Sequence, residues 1–271
     1  MPIRNKYNYE NVEGARVGRL NSGINSTFIV YRMGSTLIDA GPTNQWQPVK
    51  TFISEKPIQQ LLLTHHHEDH AGNAAKIAKM ANIVPFAPEL SQRKLKTGYK
   101  TPIMQKIIWG SPQPVETQIL PEEVFLEDGA KLVPVHTPGH AKDLHCFYLP
   151  EKRWLFSGDL YISKSLRYFR SDENLEQLIH SMRKVLKLDF EVLFCPHRGI
   201  VEEGKQALTA KLHNILTLCE KAQSLKAAGV ETSQIVIDLL GPEDMMALLT
   251  RNNFSKTNMI EEALKVTRLA A

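Results

Sequence analysis

Cysteine is scarce in this chain: Cys146, Cys195 and Cys219 are the only three in 271 residues. An odd number at no metal-ligand spacing excludes a disulfide framework and a cysteine-held zinc site, and fits reduced core thiols. Long apolar runs are missing too, and none approaches the ~20 residues a membrane-spanning helix needs. The first residues, Met1-Pro2-Ile3-Arg4-Asn5-Lys6-Tyr7, hold no apolar stretch of a secretory signal. These absences point to a cytoplasmic protein. Charge of one sign is also lacking, because 33 basic and 29 acidic residues leave a formal net charge of +4. That balance permits an anionic substrate and is far from that of a dedicated nucleic-acid binder. Internal repeats, low-complexity tracts and linker-like stretches do not occur.

Histidine, in contrast, is concentrated. Residues 65 to 70 read His65-His66-His67-Glu68-Asp69-His70, directly after the apolar run Ile58-Gln59-Gln60-Leu61-Leu62-Leu63. That run has the length and character of a buried strand. Side chains two apart on an extended chain face the same way, so His65 and His67 reach one point together, while His66 faces away. Asp69 and His70, past the strand end, turn toward a second point. Imidazole and carboxylate donors suit zinc and iron. Four ligand-type residues in six therefore read as half of a two-metal site.

Three more segments share one form: strand, tight turn, single ligand-type residue. Lys131 to Val135 is followed by His136-Thr137-Pro138-Gly139-His140, where Pro138-Gly139 forces a turn and leaves His140 at a loop tip. Arg153 to Phe156 ends in Ser157-Gly158-Asp159, and Phe190 to Cys195 ends in Pro196-His197-Arg198-Gly199.

In order and spacing, from about Asn25 to Gly199, this set resembles the metallo-β-lactamase superfamily of hydrolases. The resemblance implies that His65, His67 and His140 hold a first metal, that Asp69, His70 and His197 hold a second, and that Asp159 bridges both. It also implies an α/β fold, the four-layered αββα sandwich, with the site at one edge where strand ends converge. Asp39, in Thr36-Leu37-Ile38-Asp39-Ala40-Gly41, matches a family position that braces the histidine loop, and is equally readable as a turn residue before Gly41-Pro42. Two divalent ions, zinc by default and iron or manganese with the same donors, would generate a bridging hydroxide that attacks a carbonyl carbon or a phosphorus. Asp69 would orient the water or take its proton. Zinc-dependent β-lactamases typically carry cysteine where Asp159 stands, and flavodiiron proteins carry glutamate where His67 stands. The pattern is thus closest to glyoxalase II, acyl-homoserine lactonases and small endoribonucleases. Arg251, Lys256 and Asn252-Asn253-Phe254 match the glutathione-binding region of glyoxalase II only loosely.

The expected activity is hydrolysis of a small ester, thioester or lactone. The alternatives are a phosphodiesterase or endoribonuclease, for which Arg167, Arg170 and the lysines of the 88–121 segment speak, and a one-iron sulfur dioxygenase. The expected partner is a small molecule, with the chain a monomer or homodimer. Asp143 and His145 are candidates to support ligands, Tyr161 to touch substrate or fill the core.

The catalytic unit is expected over residues 1–200 and a helical extension over 201–271. Pro88 to Pro121 has no clear period, several prolines and the basic residues Arg93, Lys94, Lys96, Lys100 and Lys106. It reads as a lid or substrate wall, or as a basic helix packing one apolar side. Ala71 to Met80 and Asp172 to Leu188 read as helices. In the tail, Glu202 to Ala228 reads as one helix closed by Gly229. A short helix capped by Thr232 or Ser233 breaks at Gly241-Pro242, Glu243 to Thr250 follows, and Ser255 caps a last helix through Leu269.

Overall fold

The computed structural model describes residues 3–19 and 26–267. Leu269, the expected end of the last helix, lies outside the described residues, as do Met1, Pro2 and Asn25. Seven strands form one sheet in sequence order: β1 (Asn5–Tyr9), β2 (Val12–Val17), β3 (Phe28–Met33), β4 (Thr36–Ile38), β5 (Gln60–Leu62), β6 (Phe86–Ala87) and β7 (Gln118–Ile119). A second sheet takes the order β14-β13-β11-β10-β9-β8, from β8 (Val124–Phe125), β9 (Lys131–His136), β10 (His145–Leu149), β11 (Trp154–Phe156), β13 (Val192–Cys195) and β14 (Gly199–Val201). A separate ribbon pairs β12 (Phe169–Arg170) with β15 (Phe254–Ser255).

The layers follow from side-chain alternation. Phe28 and Val30 of β3 face a core shared with Val49, Phe52 and Ile53 of α1 (Trp46–Ile53) and Ile77 of α2 (Ala74–Ala81). Ile29, Tyr31 and Met33 of the same strand face the second sheet, where Phe147, Phe156 and Phe194 meet them. On the far side, Leu193 and Cys195 of β13 pack under α5 (Leu175–Leu186) and α6 (Gly204–Ala227). Strands buried on both faces read as continuous apolar runs, which is how these appear in the sequence. The four-layered αββα sandwich is borne out.

Boundaries shift where local chemistry intervenes. Leu63 to Asn73 is a turn, not the continuation of a strand, and α2 begins only at Ala74, so His70 precedes the helix by four residues. The α5 helix begins at Leu175, where the Asn174 side chain accepts from Gln177 N. In the tail, α7 (Thr232–Leu240) is preceded by Glu231 as its cap residue, with no side-chain cap from Thr232 or Ser233. Asp244 caps α8 (Met245–Leu249), and Ser255 caps α9 (Lys256–Lys265) as expected. The tail is not wholly helical, since β14 and β15 carry strand pairings. The 88–121 segment contains α3 (Gln92–Thr97) and α4 (Ile103–Ile108), each too short to show a period, and ends by adding β7 to the first sheet.

Gly139 shows how tightly the site loops are held. Its φ is +139°, and a Cβ there would lie 2.5 Å from the Leu178 backbone N and Cα at the start of α5. Its carbonyl accepts from Asn174 N at 2.8 Å. Gly139→Ala should therefore destabilise the fold by about 2–4 kcal/mol in denaturant unfolding, combining backbone strain with overpacking. Gly129→Ala, at φ +83° with open space around it, isolates the strain and should cost about 1 kcal/mol. Equal losses in the two variants would contradict the packing argument.

Candidate metal centre

Four strand ends deliver the expected residues to one place. The turn after β5 brings His65 Nε2 to 2.9 Å from His67 Nδ1, and the loop after β9 brings His140 Nε2 to 3.0 Å from that same His67 nitrogen. The turn after β11 places Asp159 between two groups. Its Oδ2 lies 3.2 Å from His140 Nε2, while its Oδ1 lies 3.2 Å from His70 Nε2 and 3.4 Å from His197 Nε2. Asp69 Oδ2 stands 3.3 Å from His197 Nε2. All seven predicted residues therefore meet, in sets of three that could each hold a cation: His65, His67 and His140; His65, His70 and Asp159; Asp69, His70 and His197.

His65 and His67 do not share a face of an extended strand, contrary to what their spacing predicts. Neither lies on a strand; the turn, closed by His70 N and Ala71 N donating to His67 O, aims both rings. His66 does face away, and its backbone N and ring Nδ1 contact Asp143 Oδ2 at 3.0 and 2.7 Å. Asp143 thus braces the turn rather than a ligand ring. Burial would raise its pKa, but His66 and neighbouring donors hold its carboxyl well below the usual range. His145 Nδ1 donates to Asp143 O at 3.0 Å. Tyr161 is buried core.

The outer ring nitrogens are held by other partners. Asp39, in the left-handed region at φ +59°, accepts from Thr64 N at 2.8 Å and meets His70 Nδ1 at 2.7 Å. The Thr64 hydroxyl bonds Asp39 and contacts His65 Nδ1 at 3.0 Å. His197 Nδ1 donates to Thr27 O at 3.0 Å, and His140 Nδ1 is bonded to Glu173. Asp39 is therefore the brace, not a simple turn residue. A metal-binding histidine usually gives its outer N–H to such an acceptor, which fixes the tautomer. Two inward atoms, His70 Nε2 and Asp159 Oδ1, are buried without an aligned hydrogen-bond partner, although 3.2 Å apart. Buried polar atoms left so are rare. Nitrogen and oxygen donors converging with orphaned lone pairs fit a pair of divalent cations.

The titration directions divide the four histidines. Burial, then neighbouring histidine charge, holds His65 and His67 well below the ordinary imidazole pKa, so both are neutral and ready to donate lone pairs. Burial would lower His70 and His197 as well, but Asp39, Asp159 and Asp69 outweigh it at His70, and Asp159 and Asp69 at His197, and hold both well above 6.5. Asp159 is likewise kept well below 3.8 by His70, His197 and His140 against the effect of burial.

Glu173, Thr64 and Lys211 escaped the sequence reading. Glu173 and Thr64 carry no local motif. Lys211 had a signal, a lysine in register with Ala207, Leu208 and Ile215 on the buried face of α6. Its ammonium donates to Leu160 O at 2.7 Å, and burial pushes its pKa down to about 8 against the pull of Glu173 and Asp159.

The site lies in a cavity of about 470 Å³. Met104, Ile108 and Trp109 of the 88–121 segment line it, as do Met246 and Phe254 of the tail. Arg170, offered for nucleic-acid binding, is paired with Asp172 at 3.0 Å, and Arg167 donates to Leu240 O. Lys94 contacts His66 Nε2, and Lys96 pairs with Glu116. Lys256, from the region loosely like a glutathione site, is buried and donates to Pro242 O.

Two outcomes follow. In metal-free protein the raised pKa values leave His70 and His197 protonated at neutral pH, whereas coordination needs them neutral. Zinc uptake should release protons, and affinity should rise with pH, in calorimetric titrations across buffers of different ionisation enthalpy. Uptake without proton release would contradict the charge arrangement. Asp39→Ala should weaken zinc binding by about 10–100-fold, the usual effect of losing an outer partner of a ligand; unchanged affinity would remove Asp39 from that role.

Comparison with known proteins agrees with this geometry. The family model for the metallo-beta-lactamase superfamily matches residues 21–197. A hydroxyacylglutathione hydrolase of Bartonella tribocorum is 27% identical over 184 residues, 66% of this chain and 65% of that protein. An atrochrysone carboxyl ACP thioesterase of Aspergillus fumigatus is 27% identical over 206 residues, 74% of this chain and 59% of that protein. The chain thus spans less than two thirds of the length of these curated relatives. Among solved structures, a beta-lactamase domain protein from Burkholderia ambifaria aligns with a TM-score of 0.75 at 13% identity, over 97% of this chain and 89% of that one. A metallo-beta-lactamase family protein from Thermus thermophilus aligns at 0.67 and 18%, over 94% and 91%. Such low identities speak for the fold alone. With most of its length matched by the family model, the chain belongs to the metallo-β-lactamase superfamily.

Proposed function

We propose that this protein is a dinuclear metal-dependent hydrolase of a thioester, or of a related ester or lactone. The observation that carries the reading is the position of Asp159, one oxygen toward each of two ligand groups, at the floor of a cavity. His65, His67 and His140 would hold one divalent ion, Asp69, His70 and His197 the other, with Asp159 shared. Zinc is the default, and iron or manganese accept the same donors. Such ions would supply an acidified water and polarise the scissile carbonyl.

The chain's own groups do the rest. His70 and His197 hold Asp69 below the ordinary carboxylate pKa despite its burial, so it is ionised and acceptor-only at neutral pH. It lines the cavity, where it would orient the attacking water and take its proton. A thiol nucleophile is disfavoured, because burial pushes Cys146 up to about 12 and raises Cys195, whose Sγ donates to Tyr161 O. The relatives named as a hydroxyacylglutathione hydrolase and an ACP thioesterase favour the thioester among the carbonyl substrates. The engaged arginines and the mostly apolar lining count against the phosphodiester alternative, and a second ligand group counts against one-iron dioxygenase chemistry. In this reading residues 1–200 form the catalytic unit, 201–271 the extension that closes the pocket, and the reduced thiols suit a cytoplasmic setting.

A panel of thioesters, lactones, a nitrophenyl phosphodiester and short RNA tests the proposal with zinc-loaded protein. Thioester cleavage should fall about 10²–10⁴-fold in kcat for Asp69→Asn, the usual scale for a lost proton acceptor. Phosphodiester cleavage alone, or full activity in the variant, would overturn it.

A further inference from the structure

Resting on that hydrolase reading, we infer that the acyl group of the substrate is an extended apolar chain, held between α4 and α8. The cavity has two unlike sides. One carries the ligand atoms; the other is built by Met104, Ile108 and Trp109 from the 88–121 segment and by Leu166, Met246 and Phe254. A polar acyl group would need free donors or acceptors on that second side. Gln105 of α4 also lines the cavity, but most polar groups near that side are committed. Tyr168 is bonded to Asp244, Arg170 to Asp172, Arg167 to Leu240 O and Lys211 to Leu160 O.

The two helices add a second observation. A surface helix ordinarily turns polar residues outward. On α4, Met104 and Ile108 line the cavity while Ile103 and Ile107 are 75% and 50% exposed. On α8, Met246 lines the cavity while Met245, Leu248 and Leu249 are 70%, 75% and 52% exposed. Apolar side chains therefore occupy both cavity-lining and exposed positions of these two helices. A chain longer than the cavity would meet exposed apolar side chains on either helix, which a compact polar acyl group would not reach. The slot is also braced at both ends. Asn44 Nδ2 donates to Ile108 O at 2.7 Å, and β12 pairs with β15 next to α8.

The test uses metal-loaded protein and N-acetylcysteamine thioesters from acetyl to dodecanoyl, with lactoyl as the polar short acyl group. A parallel calorimetric series measures binding of the uncleavable S-alkyl thioethers of the same lengths. Each buried methylene contributes about fourfold, so kcat/KM and thioether affinity should both climb by about that factor per carbon until the slot is filled. Met104→Gln and Met246→Gln, both at partly exposed positions, should each cut the decyl-to-ethyl affinity ratio at least tenfold. Affinity that climbs with length and falls in these variants supports the inference, even if no thioester is cleaved; that result would instead remove the hydrolase reading. Cleavage with no dependence on length, a preference for lactoyl, or no thioether binding at any length would overturn the inference.

Discussion

The structure depends on keeping buried charge paired. Asp39, Asp69 and Asp159 are each 7% exposed or less, beside His70 at 0% and His197 at 3%. A buried carboxylate without partners is too costly to keep ionised. Here each has a cationic or hydrogen-bonding neighbour, and Asp39 stands at the root. Its carboxylate holds the Thr64 amide and hydroxyl together with His70, and through the Thr64 hydroxyl it reaches His65. One side chain at the end of β4 thereby sets rings belonging to both ligand groups. The strained backbone at Asp39 is held by the same contacts, as expected where an unusual conformation serves a site.

The surrounding fold brings strand ends from two sheets to that point and locks them across the gap. Ile29 N donates to Pro196 O, Tyr31 Oη to Cys195 O, and His145 N to Thr64 O. Arg16 donates to Thr27 Oγ1 and His197 O, joining the first sheet to the loop that carries the last ligand-type residue. Helix α5 then seats against the Gly139 turn and delivers Glu173 to His140. Geometry at the centre is thus set by sandwich packing more than by any one loop.

The cavity walls come from chain regions far apart in sequence. The segment before β7 gives one wall, and the tail after α7 gives the other. The latter segment is not a separate core: Ile235, Met259 and Ile260 share the cluster of Leu155, Leu193 and Cys195. That common core fixes the tail against the sheet, so residues near Phe254 can shape a pocket whose chemistry sits beyond β11.

Most of the centre was legible because its ligand-type residues sit in short, local patterns at strand ends, where turn-forming Pro-Gly and Ser-Gly announce an aimed side chain. His65 to His70 needs no distant partner to be recognised. Glu173 does, because its link to His140 arises only when α5 docks. The same holds for Lys94, which reaches back 28 residues to His66. The six-residue helices α3 and α4 were hidden for another reason: fewer than two turns cannot establish a period. Two-residue strands such as β15 are specified by their partner rather than by their own side chains. The late start of α2 follows from the turn at Gly72 and Asn73, where Asn73 Nδ2 is spent on the carbonyls of Ala40, Gly41 and Pro42. Anomalous scattering from crystals of zinc-loaded protein would test the central claim most directly. The account predicts two zinc peaks on either side of Asp159, one against His65, His67 and His140, the other against Asp69, His70 and His197. A single peak, or peaks away from Asp159, would contradict it.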